Sequence, residues 1–306
     1  MNQPKVSIIT LNWNRLEDTT ECLESLKKIT YTNYEVIVVD NGSEGNDAQV
    51  LEERFGDYIH LIKNDRNYGT TGGMNIAMRY ALDNSNPDYL LLLDNDAVVD
   101  KNFLDELVQV ITRDSKVGAV TAVIYSYNKP EQIQQSLSGR INFWIGDFIG
   151  MDWFSGFFVV PTIKDNLPRE VKQAGFWCIL FKRECIENVG LLDRTYFIAW
   201  ETADYCERLG RAGYKIVYAP KAKIWHKWRT STKIDGWAQY YHPRNRFKFM
   251  RQYATRMQNI SFLTFFFAVH FWLATAYYLI WLRRPRVLLS FYKGVRDGLF
   301  LFHSGG

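Results

Sequence analysis

Residues 89–100 have the sequence YLLLLDNDAVVD, and the rest of the fold can be placed around this stretch. The uninterrupted apolar run from Tyr89 to Leu93 is typical of a strand buried on both faces of a sheet. It ends abruptly in Asp94 and Asp96, two carboxylates one residue apart. Since open α/β sheets bind ligands outside the carboxyl ends of their strands, this stretch predicts a ligand site at its end.

The Asp94/Asp96 pair has two interpretations. Two carboxylates on a short turn can hold a hard divalent cation, and Mg²⁺ or Mn²⁺ held in this way keeps positions open for substrate phosphates. The alternative is an ordinary turn, because Asp and Asn favour turns and either Asp100 or Asn102 can cap a following helix. The pair alone does not decide between a metal site and a turn.

Strands and helices alternate on the N-terminal side of this stretch. Val6–Leu11 is a β-branched run, and apolar residues then recur at helical spacing between Leu16 and Ile29. A second apolar run, Val36–Val39, leads into the polar turn Asp40–Ser43. The order strand, helix, strand predicts right-handed βαβ units, so the expected fold class is α/β with a mostly parallel sheet flanked by helices.

A glycine-rich turn at residues 64–73 precedes an apolar stripe from Met74 to Leu82. The stripe predicts a helix that starts directly after Gly72 and Gly73. A loop that leads into a helix N-terminus favours anions, because backbone N–H groups there are unpaired and the helix dipole attracts negative charge. The alternative is a mobile surface loop.

Two acids and a histidine nearer the C-terminus are further candidates. Glu201 and Asp204 lie three residues apart at the start of a predicted helix, so they share one helix face. Acids in a first helical turn also stabilise the helix by offsetting its dipole, which is the structural alternative. His226 follows a short apolar run, and a lone histidine is usually structural or exposed.

Between Tyr125 and Gln173 the sequence loses its regular period. A long stretch of this kind is typical of a loop region over a site, or of a small subdomain packed by its own aromatic residues. The aromatic residues in question are Phe143, Trp144, Phe148, Trp153, Phe154, Phe157 and Phe158.

The formal net charge of +4 is unevenly distributed. From Lys227 onward there are 13 Lys and Arg against 2 acids, whereas residues 1–226 hold 24 basic and 31 acidic residues. This asymmetry predicts an anionic surface partner for the C-terminal part.

The C-terminal part also contains a long uncharged segment. Ile260–Leu282 has 23 residues without Asp, Glu, Lys or Arg, nine of them aromatic, and is flanked by arginines on both sides. Its length can span a bilayer, and its aromatic content suits the membrane interface. Three interpretations stay open: a helix or hairpin embedded in the membrane surface, a true span, or packing against the protein or a second subunit, which would make a homodimer. Val287–Phe302 follows as an amphipathic stretch.

The four cysteines, Cys22, Cys178, Cys185 and Cys206, show no C-x-x-C spacing and have apolar neighbours. We expect buried free thiols and hence a reducing cytoplasm. Val6–Leu11 is too short for the apolar core of a secretion signal, so a cytoplasmic location is expected.

Six motifs follow one another in a characteristic order. They are Asn12-Trp13-Asn14-Arg15, Val39-Asp40-Asn41-Gly42-Ser43, Asn67-Tyr68-Gly69 with Gly72-Gly73 and Asn75, Asp94-Asn95-Asp96, Trp200-Glu201 with Asp204, and Trp225-His226-Lys227. Together they resemble family 2 glycosyltransferases with the GT-A fold (a Rossmann-like sheet), particularly the rhamnosyltransferase-like and galactofuranosyltransferase-like members. The similarity runs from about Val6 to Arg246. It implies a GT-A domain at residues 1–246 and a membrane-associated helical segment at residues 247–306.

The resemblance also implies roles for individual residues. Asp40 would contact the nucleotide base or ribose, Asp94 would lie near the ribose and the metal, and Asp96 would bind Mn²⁺ or Mg²⁺. His226 looks like the histidine that completes the metal or diphosphate site in related enzymes. The other residues implied in binding the nucleotide sugar are Asn12, Asn14, Arg66, Asn67, Gly72, Gly73 and Asn75.

The catalytic base is where this sequence departs from the family pattern. Family members commonly carry two adjacent acids, and the second of them is often the base. Thr202 takes that place here and cannot act as a carboxylate base. Glu201 is therefore the first candidate for the base and Asp204 the second.

The expected activity is that of a metal-dependent inverting glycosyltransferase in cell-surface polysaccharide or glycoconjugate synthesis. It would move a sugar from dTDP-rhamnose or a UDP-sugar to a lipid-linked or growing glycan acceptor. The expected location is the cytoplasmic face of the cell membrane, as a peripheral or monotopic protein, with no nucleic-acid partner. The alternative is a catalytically impaired GT-A-fold scaffold or glycan-binding protein at the membrane. A third class, a nucleotidyltransferase, would need a strongly basic phosphate loop near the first strand. Arg15 alone is weak evidence for such a loop.

Overall fold

The computed structural model of the protein describes residues 3–135, 140–149, 167–227 and 236–303. The strands in these ranges are β1 Val6–Asn12, β2 Tyr34–Asp40, β3 Ile59–Lys63, β4 Tyr89–Leu93, β5 Ala97–Val99, β6 Val117–Ser126, β7 Lys129–Gln135, β8 Arg140–Asn142, β9 Asp147–Ile149, β10 Arg169–Val171, β11 Cys178–Lys182 and β12 Lys215–His226. The helices are α1 Leu16–Leu26, α2 Asp47–Phe55, α3 Gly69–Asn84, α4 Phe103–Ile111, α5 Arg183–Val189, α6 Glu201–Arg211, α7 Trp237–Tyr253, α8 Arg256–Trp281 and α9 Pro285–His303.

The strands form one large mixed sheet in the order β10-β12-β6-β11-β4-β1-β2-β3. The pairs β4-β1, β1-β2, β2-β3 and β12-β6 are parallel, and β11 runs antiparallel between β4 and β6. β5 adds to β12 and β7 to β6, while β8 and β9 form a separate hairpin. The predicted α/β fold with a mostly parallel sheet is confirmed.

β4 lies near the centre of this sheet, as its apolar sequence predicts. Leu90, Leu91, Leu92 and Leu93 are fully buried. Leu91 and Leu93 belong to the core on one face of the sheet, and Leu90 and Leu92 to the core on the other face. Because both faces are covered, the strand needs no polar alternation, and its carboxylates appear only where it leaves the sheet.

The start of α3 differs from the sequence-based expectation. α3 begins at Gly69 and includes both Gly72 and Gly73. A Cβ at Gly73 would lie 2.4 Å from Leu11 Cδ1, so glycine at this position lets the helix approach β1 closely. β12 is a strand of 12 residues that ends at His226. Its register with β6 shifts between Ala219 and Lys223, and that irregular stretch accommodates Pro220.

A third core lies between α6, α7, α8 and α9. The Phe247 ring of α7 packs 5.2 Å from the Phe262 ring and 4.8 Å from the Phe266 ring of α8. The domain boundary expected at residue 246 falls inside α7, where the buried Arg246 side chain donates to Gly146 O at 2.6 Å. The structure therefore joins the C-terminal helices closely to the sheet domain.

Part of the aromatic segment is described. The Phe143 ring stacks 5.9 Å from Phe249 and the Phe148 ring packs 4.9 Å from Trp200, so these two residues contribute to the third core. Trp144 is exposed. Trp153, Phe154, Phe157 and Phe158 lie outside the described residues.

The four cysteines are free and buried, as the sequence predicts. Among the described residues, α8 is the helix that is long and apolar enough to cross a membrane, by length and composition.

Candidate active site

The turn after β4 brings Asp94 and Asp96 to His226 at the end of β12. Ala97 pairs with His226 in the antiparallel β5-β12 ladder, and the Lys227 N–H donates to Asp96 O at 3.0 Å. His226 Nε2 is therefore 3.0 Å from Asp96 Oδ1 and 3.8 Å from Asp94 Oδ2. One ligand atom from each of these three residues lies within 4.8 Å of the others. Two carboxylates and an imidazole suit Mn²⁺ or Mg²⁺, so the residues fit the expected metal.

The ionisation of this group supports the same interpretation. Burial and the charge of Asp96 raise the pKa of Asp94 to about 6, because two anions share a partly dehydrated turn. Burial alone would lower the pKa of His226, but the hydrogen bond to Asp96 and the charges of both carboxylates outweigh it, so the His226 pKa is raised. A cation between these groups would offset the repulsion that raises the Asp94 pKa.

A cleft of about 320 Å³ lies next to His226 and is largely acidic. Its lining residues are Glu17, Asp18, Glu21, Tyr127, Asn128 and Lys227. Lys227 Nζ is 2.9 Å from Asp18 Oδ1 and also pairs with Glu21, so its charge is already shared with carboxylates. The three carboxylates of this cleft outnumber its one lysine, so a divalent cation at this edge would offset their repulsion of a diphosphate.

The carboxyl ends of β1 and β2 are tied together by Asn12. Its Nδ2 donates to Asp40 Oδ2 at 2.7 Å and to Asp47 Oδ2 at 3.0 Å. Its Oδ1 accepts from Thr19 Oγ1 at 2.7 Å, and Thr19 Oγ1 in turn accepts from Asn95 Nδ2 at 2.8 Å. The expected donor-binding residues Asn12 and Asp40 are thus connected through hydrogen bonds to the turn that carries the acid pair.

The other expected donor-binding residues lie around the same edge. Asn14 is exposed, has a φ of 54°, and accepts from the Glu44 N–H at 2.8 Å. Arg66 stacks over the Tyr68 ring at 5.0 Å, and Asn67 accepts from the Gly69 N–H at 2.7 Å.

Asn75 and the two glycines have structural contacts. Both ends of the Asn75 amide bond to the Leu192 backbone, at 2.7 and 2.9 Å. Gly72 and Gly73 lie in the first turns of α3 and are buried. In Gly72 an added Cβ would meet Tyr68 Cβ at 2.7 Å, so close packing accounts for both glycines.

Glu201 is the first residue of α6 and is partly buried. Its Oε2 atom is buried and has no hydrogen-bond partner among the described residues. Burial, with the charges of Asp94 and Asp204, raises the pKa of Glu201 to about 7. A carboxyl group with a pKa near neutrality, electrostatically coupled to the metal-site acid Asp94, is suited to general base chemistry.

Both carboxylate oxygens of Asp204 accept hydrogen bonds from other side chains. It is 1% exposed, its Oδ2 accepts from Arg208 Nε at 2.9 Å, and its Oδ1 accepts from Tyr253 Oη at 2.7 Å. A carboxylate that holds an ion pair and a hydrogen bond between two helices has a structural use. The geometry therefore favours Glu201 over Asp204 as the base.

A mostly parallel α/β sheet with an acid pair and a histidine at the ends of its strands has the architecture expected of the GT-A fold. The sequence model of the family described as glycosyl transferase family 2 matches residues 7–189, more than half of the chain. The chain belongs to this family and is a glycosyltransferase of the hexosyltransferase type.

Curated relatives agree with the predicted subgroups. The chain is 26% identical over 228 residues to the N-acetylglucosaminyl-diphospho-decaprenol L-rhamnosyltransferase of Mycobacterium tuberculosis, covering 70% of this chain and 73% of that protein. It is 26% identical over 226 residues to galactofuranosyltransferase GlfT2 of Mycolicibacterium smegmatis, covering 69% of this chain and 35% of that protein. The predicted resemblance to rhamnosyl- and galactofuranosyltransferases is confirmed.

The crystal structure of GalNAc-T7 with UDP, GalNAc and Mn²⁺ has the same fold. It superposes with a TM-score of 0.67 at 17% identity, covering 84% of this chain and 49% of that chain. The GT-A fold predicted from the sequence is confirmed.

Sequence reasoning missed several residues that shape this site. Asn95, Thr19 and Lys227 connect the acid turn to α1, and Asn245 of α7 bonds to the segment before Glu201. Asn245 lies next to Arg246, the C-terminal limit of the sequence resemblance. No local pattern marks it, since its acceptors are backbone carbonyls of a distant segment.

Proposed function

We propose that this chain is a metal-dependent, inverting glycosyltransferase that uses a nucleotide diphosphate sugar and a lipid-linked or growing glycan acceptor. The donor is dTDP-rhamnose or a UDP-sugar, and the product belongs to a cell-surface polysaccharide or glycoconjugate. The N-acetylglucosaminyl-diphospho-decaprenol named for the mycobacterial rhamnosyltransferase supports a lipid-linked acceptor.

The observation that carries the proposal is the convergence of Asp94, Asp96 and His226 at the edge where Glu201 begins α6. Asp96, Asp94 and His226 would hold Mn²⁺ or Mg²⁺, whose chemistry is to offset the charge that develops on the leaving diphosphate. Asp40 and Asn12, at the ends of β2 and β1, lie where the nucleoside of the donor is expected.

Glu201 supplies the other half of the reaction. In its ionised form it would accept the proton of the acceptor hydroxyl, whose oxygen then attacks the anomeric carbon from the face opposite to the diphosphate. Its Oε2 has no hydrogen-bond partner among the described residues, so no described protein group competes for this oxygen. Its raised pKa makes it a stronger base than an ordinary carboxylate once it is ionised.

The C-terminal helices would hold the enzyme on the cytoplasmic face of the membrane as a monotopic protein. α8 is 26 residues long and leaves Trp272, Leu273, Ile280 and Trp281 between 63 and 80% exposed. Arginines lie at both ends of α8, and each basic residue close to an anionic leaflet contributes about 1 kcal/mol. α9 turns back from the end of α8 and packs on α7, so α8 and α9 form a hairpin.

The catalytic proposal is tested by measuring release of nucleoside diphosphate from dTDP-rhamnose, UDP-galactose, UDP-glucose and GDP-mannose, with a polyprenyl diphosphate glycan as acceptor. We expect release with one of them in Mn²⁺ or Mg²⁺, loss in EDTA, and loss in Asp96→Ala and Glu201→Gln. Glu207→Gln is the matched control, because it makes the same change on α6 in a residue paired with Arg211. Donor binding without turnover in the wild-type protein would favour the scaffold alternative instead.

The membrane proposal is tested by flotation with vesicles of phosphatidylcholine containing phosphatidylglycerol. We expect the wild-type protein to float and Trp272→Asp to float less. Trp144→Asp is the control, since Trp144 is also exposed but lies in the β8-β9 hairpin. A protein that does not float and is a dimer by light scattering would assign α8 to a homodimer interface.

A further inference from the structure

The segment before Glu201 has an unusual backbone. Phe197, Ala199 and Trp200 have φ values of 61°, 68° and 69°, in the left-handed region that residues with a side chain seldom adopt. Such a conformation persists only where surrounding contacts impose it. Because the segment ends at Glu201, those contacts also decide where the Glu201 carboxylate lies.

Asn245 of α7 provides the central contacts. Its Nδ2 lies 2.8 Å from each of the carbonyl oxygens of Tyr196, Ile198 and Ala199, so its two N–H groups are shared among three acceptors. Its Oδ1 accepts from Arg244 Nη1 at 2.6 Å, which fixes the orientation of the amide. The Asn245 side chain is completely buried, so water does not compete for these carbonyls.

Neighbouring contacts hold the same segment from both sides. Arg244 Nη1 donates to Thr195 O at 3.0 Å, and the Trp200 ring packs 5.2 Å from the Phe249 ring, also on α7. On the opposite side the Thr71 N–H of α3 donates to Phe197 O at 3.3 Å. The segment is thus held between the helix that begins with the glycine-rich motif and the helix that leads to the C-terminal hairpin.

We propose that Asn245 is a positioning residue for sugar transfer, which fixes the backbone of residues 196–200, including the positive φ of Phe197, Ala199 and Trp200, and so directs the Glu201 carboxylate toward the acceptor hydroxyl. The inference rests on the proposed function, in which Glu201 is the base. Asn245 bonds to the backbone of this segment, and it affects the reaction through the position of Glu201. Its loss therefore affects the reacting geometry and leaves the metal and the nucleotide in place.

The first test needs no substrate. Amide hydrogen exchange is compared in wild type, Asn245→Ala and Thr121→Val by mass spectrometry. Thr121→Val is the matched control, because Thr121 Oγ1 makes a buried hydrogen bond to Cys178 O at 3.0 Å within the sheet. We expect exchange in residues 196–201 to rise at least tenfold in Asn245→Ala and to stay unchanged in Thr121→Val. Equal exchange of this segment in wild type and Asn245→Ala overturns the proposal.

The second test uses the donor that gives turnover. We expect Asn245→Ala to lower kcat at least tenfold, with the donor KM and the Mn²⁺ affinity each changed less than threefold. In a double-mutant cycle, Asn245→Ala should add less than a twofold loss to Glu201→Gln, because a group that acts through Glu201 has no effect without it. Losses that multiply, or a change confined to KM, would overturn the proposal.

Asn245→Ser covers the case in which the alanine variant does not fold, since serine keeps one hydrogen-bond donor on a shorter side chain. The two tests also separate two kinds of failure. If Glu201→Gln retains full activity, the assignment of the base is wrong, and the exchange experiment still decides whether Asn245 holds the segment.

Discussion

Replacing Glu201 with glutamine should greatly lower the rate of transfer and at the same time stabilise the fold at alkaline pH. Burial, with the charges of Asp94 and Asp204, raises the pKa of Glu201 from the usual 4.5 to about 7. The folded protein therefore binds this proton more tightly than the unfolded chain does. Stability falls as pH rises from about 4.5 to about 7, and above that range the wild type carries the whole penalty.

The size of this penalty follows from the pKa difference. A shift from 4.5 to about 7 corresponds to about 3 kcal/mol, at 1.36 kcal/mol per unit. Because the folded and unfolded states bind this proton differently between the two pKa values, the penalty is about 1 kcal/mol at pH 5 and about 3 kcal/mol at pH 8. Glutamine cannot ionise, so the difference in unfolding free energy between Glu201→Gln and wild type should increase by about 2 kcal/mol from pH 5 to pH 8.

Urea denaturation of both proteins at the two pH values, in EDTA, measures this difference. The comparison across pH removes the fixed cost of placing an amide in the Glu201 environment, because that cost is the same at both pH values. Glu207→Gln is measured alongside, because it makes the same substitution on the same helix. If the stability curve of Glu201→Gln runs parallel to that of the wild type, Glu201 is not held in the protonated form and the argument for its basicity fails.

Three further predictions concern the metal, the hydrogen bond from Tyr253 to Asp204, and Gly42. Asp96→Asn should weaken Mn²⁺ binding at least tenfold in calorimetry, because one of three clustered ligands loses its charge. Tyr253→Phe removes the 2.7 Å hydrogen bond to Asp204 and should lower the unfolding free energy by about 2 kcal/mol in urea, as expected for a bond to a buried charge. Gly42→Ala should cost at least about 2 kcal/mol in the same assay, since Gly42 has a φ of 75° and an added Cβ would lie 2.5 Å from the Arg66 backbone.

Controls for these changes are available in the same chain. Asp100→Asn should leave Mn²⁺ affinity unchanged. Tyr127→Phe removes a more exposed bond, to Glu21, and should cost less than Tyr253→Phe. Gly190 has a φ of 86°, and an added Cβ there would have no heavy atom within 4 Å. Gly190→Ala therefore measures the backbone strain without a steric clash. Equal costs at Gly42 and Gly190 would refute the steric argument.

The sequence was informative wherever local pattern and burial agree. The run from Tyr89 to Leu93 predicted a central strand, and the abrupt change to Asp94 and Asp96 located the acid turn at the sheet edge. These inferences succeed because a strand covered on both faces and a polar turn have distinct compositions over a few residues.

Contacts between distant parts of the chain were not predictable in this way. His226 was placed with the acids by resemblance, whereas its actual position depends on a ladder between β5 and β12 that joins residues more than 120 positions apart. Asn245 had no local signal, since its three acceptors are backbone carbonyls whose conformation is set by packing. The start of α3 was misplaced because glycines favour loops, while here Gly73 permits contact with Leu11.

The ladder between β5 and β12 has a consequence for biosynthesis. During translation Asp94 and Asp96 leave the ribosome long before His226, so a nascent chain has both acids but not the strand that fixes their turn. The match to the family model also ends at residue 189, before this strand begins. The three candidate ligands are therefore complete only once residue 226 has been made, and a product terminated before it has the two carboxylates of this turn with no imidazole beside them.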